Sequence, residues 1–122
     1  MNARNLLSKY EVEINKCNFD LLTPLISENC KFWFTSGTFH GLEQCRQAFE
    51  KTWNMIKDEK YWLADVEWIA ESDRVAVCTY TFNWKGVIEG KPCEGKGRGT
   101  SCLQNEEGQW KIVHEHLSQF PK

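Results

Sequence analysis

The run Trp110-Lys111-Ile112-Val113-His114-Glu115-His116-Leu117-Ser118 places two imidazoles two residues apart among strand-forming residues. Side chains on a strand alternate between its faces, so this spacing predicts that His114 and His116 share a face with Trp110 and Ile112. A metal ion would accept such a pair, but a stable site needs three or four ligands. The chain holds one further histidine, His40, and no acidic residue follows His116. No metal site is expected. General acid/base chemistry fits better, because imidazole titrates near neutrality, and His114 is the candidate acid or base. The competing expectation is structural: histidines hydrogen-bonded in the core or at a subunit interface.

Other residues could act beside them. Arg98 falls in the middle of a strand-like run, where a guanidinium is costly to bury unless paired. It would either bind a carboxylate or other anionic group on a ligand or form an ion pair with Glu115, Asp65 or Glu67. Tyr80 can donate a hydrogen bond and joins His114 as a candidate catalytic group, while Trp33, Trp84 and His116 are candidate binding walls. Asp65 would be a proton shuttle on an apolar inward face. Alternation favours Trp62, Ala64, Val66 and Trp68 as the inward set, which turns Asp65 outward. The six cysteines, at 17, 30, 45, 78, 93 and 102, contain no CxxC pair, which removes zinc-ribbon and thioredoxin-type readings. They are expected to be reduced thiols in the cytoplasm, with Cys93 and Cys102 the redox candidates because Lys91, Lys96 and Arg98 are near them. No nucleophile elbow, phosphate loop or dinucleotide fingerprint occurs.

The elements that must position these groups follow from periodicity. Leu6, Leu7, Tyr10 and Ile14 predict a helix over residues 2–16, and Asp20 a short second one to about Ser27. Cys30–Thr35 reads as a strand. Gly41 opens a long helix to about Lys57, and strands are expected over 61–70, 74–84, 97–104 and 110–118. Residues 85–96, with three of the eight glycines and Pro92, predict a loop or ragged hairpin. This order is α+β: helices on one face of a strongly curved, mainly antiparallel sheet, a cone with an internal pocket, in one domain spanning residues 1–122. Six Trp and seven Phe either line that pocket or fill a small core. With 15 Lys and Arg against 17 Asp and Glu and no continuous basic stripe, nucleic-acid binding is not expected. No apolar run approaches the length of a membrane helix, and no apolar signal segment opens the chain.

Phe39-His40-Gly41 before the long helix, Gly97-Arg98-Gly99-Thr100 on a strand, and Glu107-Gly108-Gln109-Trp110 continuing to Ser118 together resemble the SnoaL-like branch of the nuclear transport factor 2-like (cystatin-like) superfamily. The last segment is also similar to the association domain of calcium/calmodulin-dependent kinase II. That domain's arginine on the strand before the Trp has Ser101 at its position here. The resemblance implies a curved sheet around a pocket and a homodimer packed sheet to sheet, but not one chemistry. Three functions stay open. The chain is expected to bind a small apolar or carboxylate-bearing molecule. Alternatively it is a cofactor-free enzyme doing proton transfer (isomerase, cyclase or dehydratase), or a homo-oligomerisation module.

Overall fold

A computed structural model describes residues 1–122. Helix α1 (Ala3–Ile14) is followed by two short 3₁₀ turns, Phe19–Leu21 and Thr23–Leu25. Strand β1 (Ile26–Phe34), strand β2 (Gly37–His40) and helix α2 (Gly41–Met55) come next, and then β3 (Lys57–Glu71), β4 (Val75–Ile88), β5 (Lys91–Glu106) and β6 (Gln109–Gln119). The six strands form one sheet in the order β2-β1-β6-β5-β4-β3. All neighbours are antiparallel except β1 and β6, which run parallel. The α+β class and the helices on a curled, mainly antiparallel sheet are as the sequence predicts. The expected short second helix is instead the pair of 3₁₀ turns, because Pro24 and the β-type Ile26 stop any continuing helix.

Helix α1 buries Ala3, Leu6, Leu7, Tyr10 and Ile14 on one stripe, and its first turn is capped by the Asn2 side chain, which accepts from the Asn5 amide at 2.8 Å. Its last turn is fastened to the outermost strand. The Asn15 side chain donates to the Tyr61 carbonyl and accepts from the Tyr61 amide, both at 2.8 Å. The Leu63 amide donates to Glu11 at 2.7 Å. One hydrophobic core joins α1, the 3₁₀ turns, α2 and the inner face of the sheet.

Of the two alternatives for residues 85–96, the hairpin is found and the loop is not. Strands β4 and β5 continue in register to Ile88 and Lys91, and a two-residue turn at Glu89-Gly90, both with positive φ (51° and 79°), joins them. Of the glycines that made this stretch read as irregular, Gly90 makes the turn, whereas Gly86 and Gly95 serve packing, as do Gly97 and Gly99 beyond it. Tyr80, Phe82 and Trp84 face Gly99, Gly97 and Gly95 directly across the β4–β5 ladder. Each aromatic ring lies over its glycine so closely that a Cβ there would overlap the ring; at Gly95 it would sit 2.6 Å from the Trp84 indole nitrogen. A stripe of β5 without side chains thus lets three large aromatics lie flat on the sheet.

Bulges decide which residues face inward. On β3 the register shifts between Ala64 and Glu67, where Asp65 has φ 55°. Tyr61 and Leu63 therefore oppose Trp84 and Phe82 on the inner face, and Trp68 re-enters it opposite Cys78. This corrects part of the expected inward set: Trp68 faces inward as expected, but Trp62 lies opposite Asn83 on the outer face. The close approach of ring and backbone makes Gly99 sensitive. Gly99→Ala is expected to cost about 2 kcal/mol or more by overpacking against Tyr80 and Leu117. Gly90→Asn, in an open turn with φ 79°, should change stability by less than about 1 kcal/mol. Chemical denaturation of the two variants checks the contrast.

Candidate functional site

A second bulge, on β6, reverses the expected placement of the histidines. Leu103 pairs with Ile112 but Cys102 pairs with His114, so one extra residue, Val113, intervenes. Ile112 is buried in the core. Past the bulge it is Glu115, Leu117 and Gln119 that face inward, while His114, His116 and Ser118 face the other way. The predicted row Trp110-Ile112-His114-His116 on one face is therefore broken after Ile112. His114 donates Nδ1–H to the Lys31 carbonyl, and Trp33 packs edge-on against both imidazoles, with ring centroids 5.0 and 5.3 Å from its own.

The outer face holds most of the residues singled out from sequence. Arg98, His116, Asp65, Thr79, Thr81, Thr100, Ser118 and Phe120 line a shallow groove of about 450 Å³. Arg98 is exposed and forms no ion pair with Glu115, which lies on the opposite face of the sheet. Trp33 is 43% exposed beside the histidines. Trp84 is the one candidate wall on the inner side, where it lines a larger cavity. Tyr80 is also on the inner side but buried, with its hydroxyl 2.7 Å from the Ser101 hydroxyl.

That inner cavity, about 580 Å³, lies between α2 and the sheet. Its aromatic walls are Phe34, Phe49, Trp53, Tyr61, Phe82 and Trp84. Three carboxyl residues line it: Glu59 on β3 and Glu115 on β6 stand among these walls, and the exposed Glu94 on β5 lies at the rim. Glu115 is 2% exposed. The Tyr10 and Ser101 hydroxyls donate to its two oxygens over long distances, 3.5 and 3.4 Å, and Tyr80 hydrogen-bonds Ser101 in turn. Burial pushes Glu115 up to about 8 against the opposing pull of Tyr10 and Ser101. Burial also raises Glu59, to about 7, and neither a cation nor a donor of the chain offsets it. Tyr61 is held well above the usual phenol range, first by burial and then by the charges of Glu115 and Glu59, so it stays a neutral donor.

Sequence reasoning passed over Glu59 and named Glu115 only as an ion-pair partner for Arg98. Glu115 alternates with the histidines, so the group that draws attention by its type and the group that ends up inside differ by one residue. Glu59 lies just before the predicted start of the third strand, which begins four residues earlier, at Lys57. Among the thiols, Cys30 and Cys45 touch, with sulfurs 3.3 Å apart and both fully buried, whereas Cys93 and Cys102 are separate and half-buried. No group of three or more His, Cys, Asp or Glu side chains is placed to hold a metal ion.

Buried carboxyls with raised values bind protons in the folded state that the unfolded chain has already released. Their contribution is fully present below the ordinary carboxyl value, near 4.5, and is lost as pH rises through about 7 and 8. The melting temperature should therefore fall between about pH 5 and pH 9. Glu115→Gln should flatten that fall by about 5 °C or more, as scanning calorimetry across the pH series would measure.

Solved structures similar to this chain share its fold at low sequence identity. A nuclear transport factor 2-like superfamily protein from Salmonella enterica serovar Typhimurium matches with a TM-score of 0.87 at 21% identity, over 97% of this chain and 88% of that one. A protein with a cystatin-like fold from Caulobacter vibrioides matches at 0.81 and 20%, over 97% and 87%. The association domain of calcium/calmodulin-dependent kinase II from C. elegans matches at 0.78 and 15%, over 94% and 91%. At these identities the likeness is one of fold. No protein of curated function matches in sequence. The model of the SnoaL-like domain matches residues 4–122. Bulged strands, the curled sheet and this match together place the chain in the family of SnoaL-like domains.

Proposed function

We propose that this chain is a small-molecule-binding protein, one domain over residues 1–122, whose ligand occupies the cavity between α2 and the inner face of the sheet. One observation carries this reading: two carboxyl groups, left almost without partners, stand inside an aromatic cavity large enough for a small organic molecule. A buried carboxyl without a counter-charge costs stability, and ligand contact offsets that cost.

The same geometry favours proton transfer as the second reading, with different residues from those expected. His114 lies across the sheet from the cavity and cannot reach a ligand there, and the hydroxyl of Tyr80 is engaged with Ser101. Glu59 takes the role of base, because a carboxyl near 7 exchanges protons readily at neutral pH. Glu115 stays a neutral acid that donates a hydrogen bond to a substrate oxygen, and Tyr61 assists it. A carboxylate base facing a neutral carboxylic acid and a phenol is a sufficient set for cofactor-free isomerisation, cyclisation or dehydration.

Small apolar compounds should raise the melting temperature of the wild-type protein. They should fail to do so in Leu117→Trp or Thr52→Trp, either of which fills the cavity. Stabilisation that survives in both variants would reject the cavity as the binding site. For any compound that is turned over, Glu59→Gln should lower kcat about 100-fold or more.

The outer face supports a homodimer packed sheet to sheet. Trp33 and Trp62 are 43% and 36% exposed there, which is costly on a face open to water. One structural neighbour is itself an association domain. Light scattering should give twice 14.3 kDa for the wild type and 14.3 kDa for Trp33→Arg, and a wild-type mass of 14.3 kDa would reject the dimer. Six unpaired thiols support a reducing, cytoplasmic setting, and no helix is long and apolar enough to cross a membrane.

A further inference from the structure

The inner cavity has a one-sided electrostatic character. Its lining includes one basic residue, Lys96, and that side chain leaves: its ammonium lies 6.0 Å from the centre of the Phe120 ring, and Phe120 lines the groove on the other face. The remaining titratable neighbours of Glu59 and Glu115 are acids. They are Tyr10 on α1, Cys17 after it, Cys30 on β1, Cys45 on α2, Tyr61 on β3, Cys78 and Tyr80 on β4, and Glu94 on β5 at the cavity rim. None carries positive charge. Two carboxyls therefore face a cavity whose walls are indole, phenol and phenyl rings.

We infer that the cavity takes a small organic cation, an amine or quaternary ammonium with an apolar body, held by the carboxyl of Glu59, with that of Glu115 beneath, and by the faces of the surrounding aromatic rings. This rests on the reading of the cavity as a ligand site and narrows the class of ligand. An anionic ligand would meet two carboxyls and no cation. A neutral one would leave both carboxyls desolvated and unpaired. A cation supplies the missing counter-charge, and rings such as Trp53, Trp84, Phe49 and Phe82 attract it through their negative faces. Bringing in positive charge lowers the proton affinity of both carboxyls, so binding releases protons and strengthens as pH rises.

The probe set is benzyltrimethylammonium, benzyl alcohol and benzoate, titrated calorimetrically into the full chain. At about pH 9, with both carboxyls ionised, the cation should bind about tenfold or more tightly than the alcohol, and benzoate should bind least. At about pH 6 that preference should collapse to about twofold or less, because the carboxyls are then protonated. Glu59→Gln should erase most of the preference at about pH 9 while leaving the alcohol's affinity within about twofold. The pH series on the wild type gives the same answer if that variant does not fold. Equal or weaker binding of the cation, with the alcohol or benzoate still displaced by Leu117→Trp, overturns the cationic ligand and leaves the cavity as a binding site. Binding of none of the three overturns both.

Discussion

Everything distinctive about the inner side of this sheet depends on one inserted residue. Val113 sits opposite nothing on β5, and from that point β6 presents Glu115, Leu117 and Gln119 to the interior. Without the bulge the interior would receive His114 and His116, and the carboxyl would lie in solvent. The inserted residue also sharpens the local bend. Together with the register shift on β3, it curls the sheet toward α2 instead of letting it lie flat beneath the helix. A change in hydrogen-bond register thus selects the chemistry of the cavity: carboxyl in place of imidazole.

The glycine–aromatic ladder between β5 and β4 makes the matching contribution on the neighbouring strands. Gly95, Gly97 and Gly99 remove side chains where Trp84, Phe82 and Tyr80 must lie down. Had β5 carried ordinary residues there, the three rings would have to stand upright and fill the space they now border. The cavity is therefore a result of what β5 lacks as well as of what β4 and β3 carry. Tyr80 closes the inner end of this ladder, and its hydroxyl, through Ser101, reaches the carboxyl that the bulge delivers.

Much of the fold was legible because long periodic segments report their own type. The apolar spacing of α1 and α2, the alternating strands and the X-Gly turn at Glu107-Gly108 all appear in the sequence as they do in the structure. Side-chain placement was legible on one side of each bulge only. Period-two reasoning assigns faces by counting, and one uncounted residue inverts the assignments on the other side: those past Val113 on β6, and Trp62, ahead of Asp65, on β3. Residues 85–96 were legible only as a loop or ragged hairpin, of which the hairpin is found, because glycines placed for close packing look the same in sequence as glycines placed for a turn. Glu59 and Glu115 gave no signal of their own, since a glutamate in a strand is ordinarily solvated, and only burial distinguishes these two.

The clasp between the end of α1 and β3 has a consequence for how copies of this chain can meet. Edge strands offer free amides and carbonyls to any other strand, and an open sheet must blunt them or polymerise. Here Asn15 imitates a neighbouring strand at Tyr61, and Glu11 takes up the Leu63 amide, so part of the β3 edge is already occupied. The opposite edge is β2, four residues long, too short to template much of a partner strand. With both margins of the sheet blunted, lateral growth into a continuous sheet or fibril is disfavoured, and contact between copies is steered toward broad faces with defined geometry.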